Sequence, residues 1–211
     1  MTFNYEPLGG RLAVDFANFG RVFSGGTSRP LTWAALITFL EAAKVVSPER
    51  GVKLLSLPQT DAAAAEGLLG VAARLQSALR RGFGAMADGN RAERDCAEVI
   101  NDILRVTEGH DELVWDEGNW RMEFVAREDS PEWLLAAIAR SAAEIIADGH
   151  SARLRCCANP DCGLLFCDLS RTRKRRWCSM ATCGNRHKVA EFARRQSHRR
   201  PAARSTARSG G

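Results

Sequence analysis

The chain has 211 residues, 45% of them hydrophobic and 26% charged, with a formal net charge of +5. That length holds one good core, or one domain with a small appendage, and it contains no apolar run long enough to span a bilayer. The opening "MTFNYEPLGG" lacks the basic-then-apolar order of an export signal, so a cytoplasmic protein without membrane attachment is expected.

In chain order, "GGRLAVDFANFG" begins on a glycine pair and continues as an apolar run carrying Asp15 and Asn18. Three positions apart, these two share one face of a helix. Set among Leu12, Val14, Phe16 and Phe19, they are expected to be partly buried and to need partners. Two readings stay open: an internal hydrogen bond joining helices, or a small-molecule pocket at Asp15 and Asn18. "SGGTSRP" reads as a loop. A helix then starts near Thr32, with apolar residues at Leu31, Ala35, Leu36, Phe39, Leu40 and Ala43, and Pro48 follows its end. From Asp61 to Met86, Leu68, Ala72, Leu75, Leu79 and Phe83 recur every three or four residues, which predicts a long amphipathic helix. "RAERDCAEVINDILRV" predicts another, burying Cys96, Val99, Ile100, Ile103 and Leu104.

Two β-rich runs flank Asp116–Asn119 and predict a hairpin. Pro131 opens a further helix with Leu134, Ile138, Ser141 and Ile145 on one side, closed by Gly149. The expected fold class is therefore mainly α with a small β-hairpin (α+β) over residues 1–150. A second, small domain is expected over 151–196, followed by a disordered basic tail, 197–211. Residues 1–150 contain no phosphate-cradling loop, Ser-His-Asp order or Cys-His pairing, so no catalytic residue is assigned and no enzyme is expected.

Charge and cysteine are both lopsided. From Ser151 onward there are 15 Lys and Arg against 3 Asp and Glu, leaving 15 against 22 in the first 150 residues. An acidic body with a basic end suggests a polyanionic partner. Six of the seven cysteines fall between Cys156 and Cys183, a cluster that points to metal ligation rather than a disulfide framework. Cys157-x4-Cys162 and Cys178-x4-Cys183 make two matched hooks for one tetrahedral zinc per chain. Asn159-Pro160-Asp161 and the glycines at 163 and 184 suit the turns each hook needs. Cys156 could replace Cys157 as first ligand. Cys167 is expected to pack as a small apolar residue or to lie on the intervening hairpin.

Around the hooks, Arg171, Arg173, Lys174, Arg175 and Arg176 precede Cys178, and a helix follows Cys183. On that helix Val189, Phe192 and Ala193 share a face suited to packing on the metal knuckle, while Arg186, Lys188, Arg194 and Arg195 spread over the rest. These cations are candidate phosphate contacts. Asn185 and Arg186 could read base edges or brace the knuckle, and Trp177 could stack on a base or cap the small core.

At these residues the sequence resembles the CGNR zinc-finger family, through Cys183-Gly184-Asn185-Arg186, "CANPDCG", the pattern Phe166, Asp168, Ser170, Arg171, and "RRWCSMATCGNR". The first part resembles the accompanying ABATE domain, a putative stress-induced transcription regulator, through "LAVDFANFG", although Phe19 stands where that family usually carries Thr. The resemblance implies a bacterial protein with zinc on Cys157, Cys162, Cys178 and Cys183 and a role in transcription. The expected partners are nucleic acid, DNA ahead of RNA, with a small-molecule ligand and a homodimer as further candidates.

Overall fold

The computed structural model describes residues 7–20, 30–107, 109–116, 119–126 and 131–199. Most of the expected "SGGTSRP" loop and the tail beyond Arg199 lie outside the described residues.

The first helix, α1 (Leu12–Asn18), has seven residues, too few to be stable alone. Its neighbours satisfy its ends: Ser141 Oγ accepts from the Ala13 amide at 3.3 Å, and the Gln76 side-chain amide donates to the Phe16 and Phe19 carbonyls at 3.1 and 3.0 Å. Ala13 through Asn18 are all buried. Helix α2 (Trp33–Ala42) starts where its cap predicts, with the Thr32 hydroxyl accepting from the Ala35 amide. Pro48 then opens a helix rather than merely closing the previous one. It sits in the first turn of α3 (Pro48–Leu55), behind the Ser47 cap, and a short α4 (Leu57–Thr60) follows. The hydrophobic pattern of these two is too brief and too exposed to announce them.

Helix α5 (Ala62–Ala87) is capped by Asp61 and buries the five residues its periodicity singles out. Helix α6 (Arg94–Val106) crosses it closely at Gly82, where an added Cβ would come within 2.7 Å of Cys96 Sγ. Cys96 is accordingly a core residue. Strands β1 (Gly109–Asp116) and β2 (Asn119–Ala126) form the expected antiparallel hairpin, with Asp116 opposite Asn119. A 3-10 turn at Pro131–Leu135 leads into α7 (Ala136–Asp148), which Gly149 ends at φ +53°.

A second antiparallel pair, β3 (Leu154–Cys156) and β4 (Leu165–Cys167), follows. Leu154, Leu165 and Cys167 belong to the same hydrophobic core as α1, α5 and α7. The chain is thus mainly helical with small antiparallel sheets, and it divides into two compact units, Met1–Cys178 and Ser179–Gly211. The described part of the second unit holds a π-helical turn (Met180–Gly184) and α8 (Asn185–Arg199). No helix among the described residues is long and apolar enough to cross a membrane.

Candidate metal centre

The first hook is a turn built by its own backbone. The Cys157 amide donates to Leu164 O at 2.8 Å and the Cys162 amide to Asn159 O at 3.0 Å. Asn159 Oδ1 accepts from the Asp161 amide, and Gly163 takes φ +62°, a conformation that costs glycine nothing. Cys156 ends β3 exposed while Cys157 is buried, so Cys157 is the residue presented to the centre. The second hook begins at Cys178, whose amide donates to Cys157 Sγ at 3.4 Å. Ser179 Oγ caps the π-helical turn through the Thr182 amide, and that turn carries Cys183.

The sulfurs of Cys157, Cys162, Cys178 and Cys183 all lie within 4.8 Å of one another, and those of Cys162 and Cys178 are 3.6 Å apart. Four thiolates at the zinc–sulfur bond length stand roughly 3.8 Å apart in a tetrahedron. The donor set therefore fits one Zn2+ in size, in number and in softness, and it leaves no position for a bound water. Burial pushes the Cys157 thiol above its ordinary value and Cys162 adds to the rise, against hydrogen bonds from the Cys178 and Asn159 backbone that favour the thiolate. A dication reverses that penalty by holding the thiolates as ligands.

The spare thiols separate cleanly. Cys96 and Cys167 are buried, and desolvation pushes each up to about 11. In the folded, zinc-loaded chain at pH 8, iodoacetamide is expected to modify Cys156 alone. Chelation should then open the four ligands, and only denaturant should release Cys96 and Cys167; mass spectrometry of the labelled peptides checks the order.

Strand β4 and the segment after it are fixed by three buried polar groups. Asn18 donates from Nδ2 to Leu165 O at 2.7 Å and accepts the Leu165 amide on Oδ1 at 3.0 Å. Asp15 accepts the Gly9 amide at 2.7 Å, and the Gly9 carbonyl accepts the Cys167 amide at 2.8 Å. An added Cβ on Gly9 would lie 2.9 Å from Asp15 Oδ1, so only glycine fits there. Asp15 and Asn18 are thus engaged in internal hydrogen bonds, and the partner reached by Asn18 is a strand of the cysteine region rather than another helix. Arg80 adds bonds to the Ala17 and Gly163 carbonyls at 3.4 and 3.2 Å. Asp168, fully buried, accepts from the Ser170 hydroxyl at 2.6 Å, the Ser170 amide and the Arg175 amide, and pairs with Arg155 at 3.4 Å. Burial pushes its carboxyl up, but those bonds outweigh it and hold the group below the ordinary carboxylate range. The sequence showed Asp168 only as part of a family pattern; nothing in its spacing announced a buried hub.

Comparison with known families decides the assignment. The model of the CGNR zinc finger matches residues 153–196, and that of the putative stress-induced transcription regulator, ABATE, matches residues 10–149. The chain belongs to the ABATE family. No curated protein matches it.

In this ABATE protein the predicted phosphate contacts fall into different environments. Arg171, Arg173, Lys174 and Arg176 are exposed, with the Arg176 guanidinium 5.4 Å from the ring of half-buried Trp177. Arg175 faces inward: its guanidinium lies 4.5 Å from the Phe166 ring centroid and donates to the carbonyls of Leu8, Trp177 and Cys178. On α8, Asn185, Arg186, Lys188, Arg194 and Arg195 are all exposed. Asn185 Nδ2 donates to Ala181 O at 3.1 Å, and Arg195 pairs with Glu191. The apolar face expected to pack inward is open, with Val189 and Phe192 exposed by 69% and 64%. A helix that begins directly after a ligand is positioned by the turn, and it needs no buried stripe to hold it.

Proposed function

We propose that this zinc-binding ABATE protein is a transcription regulator that binds duplex DNA through its cysteine-rich C-terminal region, and that it performs no catalysis. The observation that carries the reading is the exposed, cation-rich surface of α8. Arg186, Lys188, Arg194 and Arg195 are distributed around the helix, Asn185 opens it, and Glu191 is the one acid between Asn185 and Gln196. A helix of this kind can lie along phosphates or enter the major groove, where Asn matches adenine and Arg matches guanine. Arg171, Lys174 and Arg176 supply further exposed cations ahead of Cys178. The closed tetrathiolate gives the metal a structural role, because a hydrolytic zinc keeps an open position. A single such helix has a small footprint, so specific binding favours a homodimer. RNA is the second polyanion the same charges would suit.

Fluorescence titration of the zinc-loaded chain with duplex DNA, hairpin RNA and heparin tests the proposal. Duplex DNA should bind best, with affinity falling steeply between about 50 and 200 mM salt as counterions are released. Replacing Arg186 and Lys188 by Ala should weaken binding and flatten the salt slope by roughly two. Equal binding to all three polyanions, abolished by salt in every case, would rule out a specific DNA regulator.

A further inference from the structure

A cavity of about 380 Å3 opens in the first unit where the ends of α5 and α7 meet the start of β3. That is within the size range of small-ligand sites. Met86, Ile146 and Leu154 give it an apolar wall, while Arg91, His150 and Arg153 line it with donors and cations. No acidic side chain among the described residues lines it. Among the described residues, the side chains of Arg91, His150 and Arg153 have no hydrogen-bond or ion-pair partner. We propose that this cavity binds a small organic anion, a carboxylate or phosphate with a short apolar body.

The bland alternative is that the cations only neutralise two helix ends. Two C-termini together carry about one negative charge, whereas Arg91 and Arg153 carry two positive ones. The ends are also already closed by the chain. The amides of Gly89 and Asn90 donate to Met86 O and Ala85 O, and that of Gly149 to Ile146 O. A surplus of positive charge therefore faces the cavity. Arg153 adopts φ +51° and ψ +45°, left-handed backbone that a side-chain-bearing residue occupies at a cost of about 1 kcal/mol. A second cavity of about 600 Å3, beside α3, differs in that an acid, Glu49, lines it together with Arg50 and Lys53, and Arg50 is stacked 4.1 Å from the Trp133 ring.

The site lies close to the metal ligands along the chain. The Arg153 carbonyl accepts the amide of the buried hub Asp168 at 3.0 Å, and β3 runs from Leu154 to Cys156, directly before Cys157. An anion held by Arg153 would tie the α5–α6 turn to the strand that presents the first zinc ligand. The inference stands whether or not the protein binds DNA.

Calorimetric titration of the zinc-loaded full chain tests it, with hexanoate and phenyl phosphate as probes and hexanol and benzyl alcohol as neutral matches. At least one anion should bind with Kd of about 1 mM or tighter, and the alcohols should bind at least tenfold more weakly. Arg91→Gln, at an exposed position, and Arg153→Gln should each weaken anion binding tenfold or more. Arg186→Gln, on α8, should leave it unchanged. Absence of binding by both anions at 10 mM, equal binding of the alcohols, or undiminished binding in Arg91→Gln would overturn the proposal.

Discussion

Stripping zinc from the folded protein is expected to melt the end of the chain and leave the helical body standing. A structural tetrathiolate contributes on the order of 10 kcal/mol to whatever it organises, as much as the entire stability of an ordinary domain. Without the metal, Cys157, Cys178 and Cys183 are buried sulfurs crowded together with nothing to hold them. The body does not share that dependence. Its core is formed by α1, α2, α5, α6 and α7, and it includes Leu154, Leu165 and Cys167 of the β3–β4 pair. The line of melting should therefore fall after Cys167 rather than near residue 150. Far-UV circular dichroism after chelation, or in Cys178→Ser, should lose only the share of α8, and amide exchange should stay slow through Leu165. Collapse of the whole helical signal would show that the body needs the metal. Purified protein holding well under one zinc per chain, with every thiol free, would remove the centre itself.

What the sequence disclosed and what it hid follow from the range of the forces involved. The long helices, their caps and the β1–β2 hairpin are local: periodicity, Asp61, Thr32 and Gly149 suffice to place them. Two hooks of cysteines were readable because a metal demands donors in a spacing that turns can meet, but the choice of Cys157 over Cys156 needed the burial that the fold supplies. Helices α3 and α4 were not, since eight and four residues leave no period to recognise. The braces were hidden for another reason. Asn18 and Leu165 are 147 positions apart, and Arg175 reaches Leu8 across 167. A polar residue in an apolar run announces that it has a partner, but not which one. Arg175 shows the opposite error: inside a run of arginines its charge suggested phosphate, while its position two residues before Trp177 turns it onto Phe166 and three carbonyls. The cavity at Arg91, His150 and Arg153 was likewise invisible, because its walls come from two stretches far apart in the chain, 86–92 and 146–154.

The brace with the largest consequence is Asn18. Its amide satisfies both backbone groups of Leu165, and neither has access to water at a site where Asn18 is 0% exposed. In Asn18→Ala a buried donor and a buried acceptor both lose their partner, at about 1–3 kcal/mol each. The expected loss is roughly 2–5 kcal/mol, a lowering of Tm by about 5–15 °C for a chain of this size. Asn18→Asp keeps the acceptor for the Leu165 amide but turns an oxygen toward the Leu165 carbonyl, so it should not rescue stability. Asn185→Ala, at an exposed position, should cost about 0.5 kcal/mol or less. The effect should also reach the metal. Leu164, the next residue along, accepts the Cys157 amide at 2.8 Å, so loosening Leu165 loosens the first hook, and zinc transfer to a chelator should be faster in Asn18→Ala than in the parent. An unchanged Tm in Asn18→Ala would show that water or a shifted strand satisfies Leu165, and that α1 does not hold the metal-bearing hairpin in place. A lowered Tm with an unchanged transfer rate would confine the role of Asn18 to the body. Only both changes together make α1 the part of the ABATE domain through which events in the helical body are felt at the zinc.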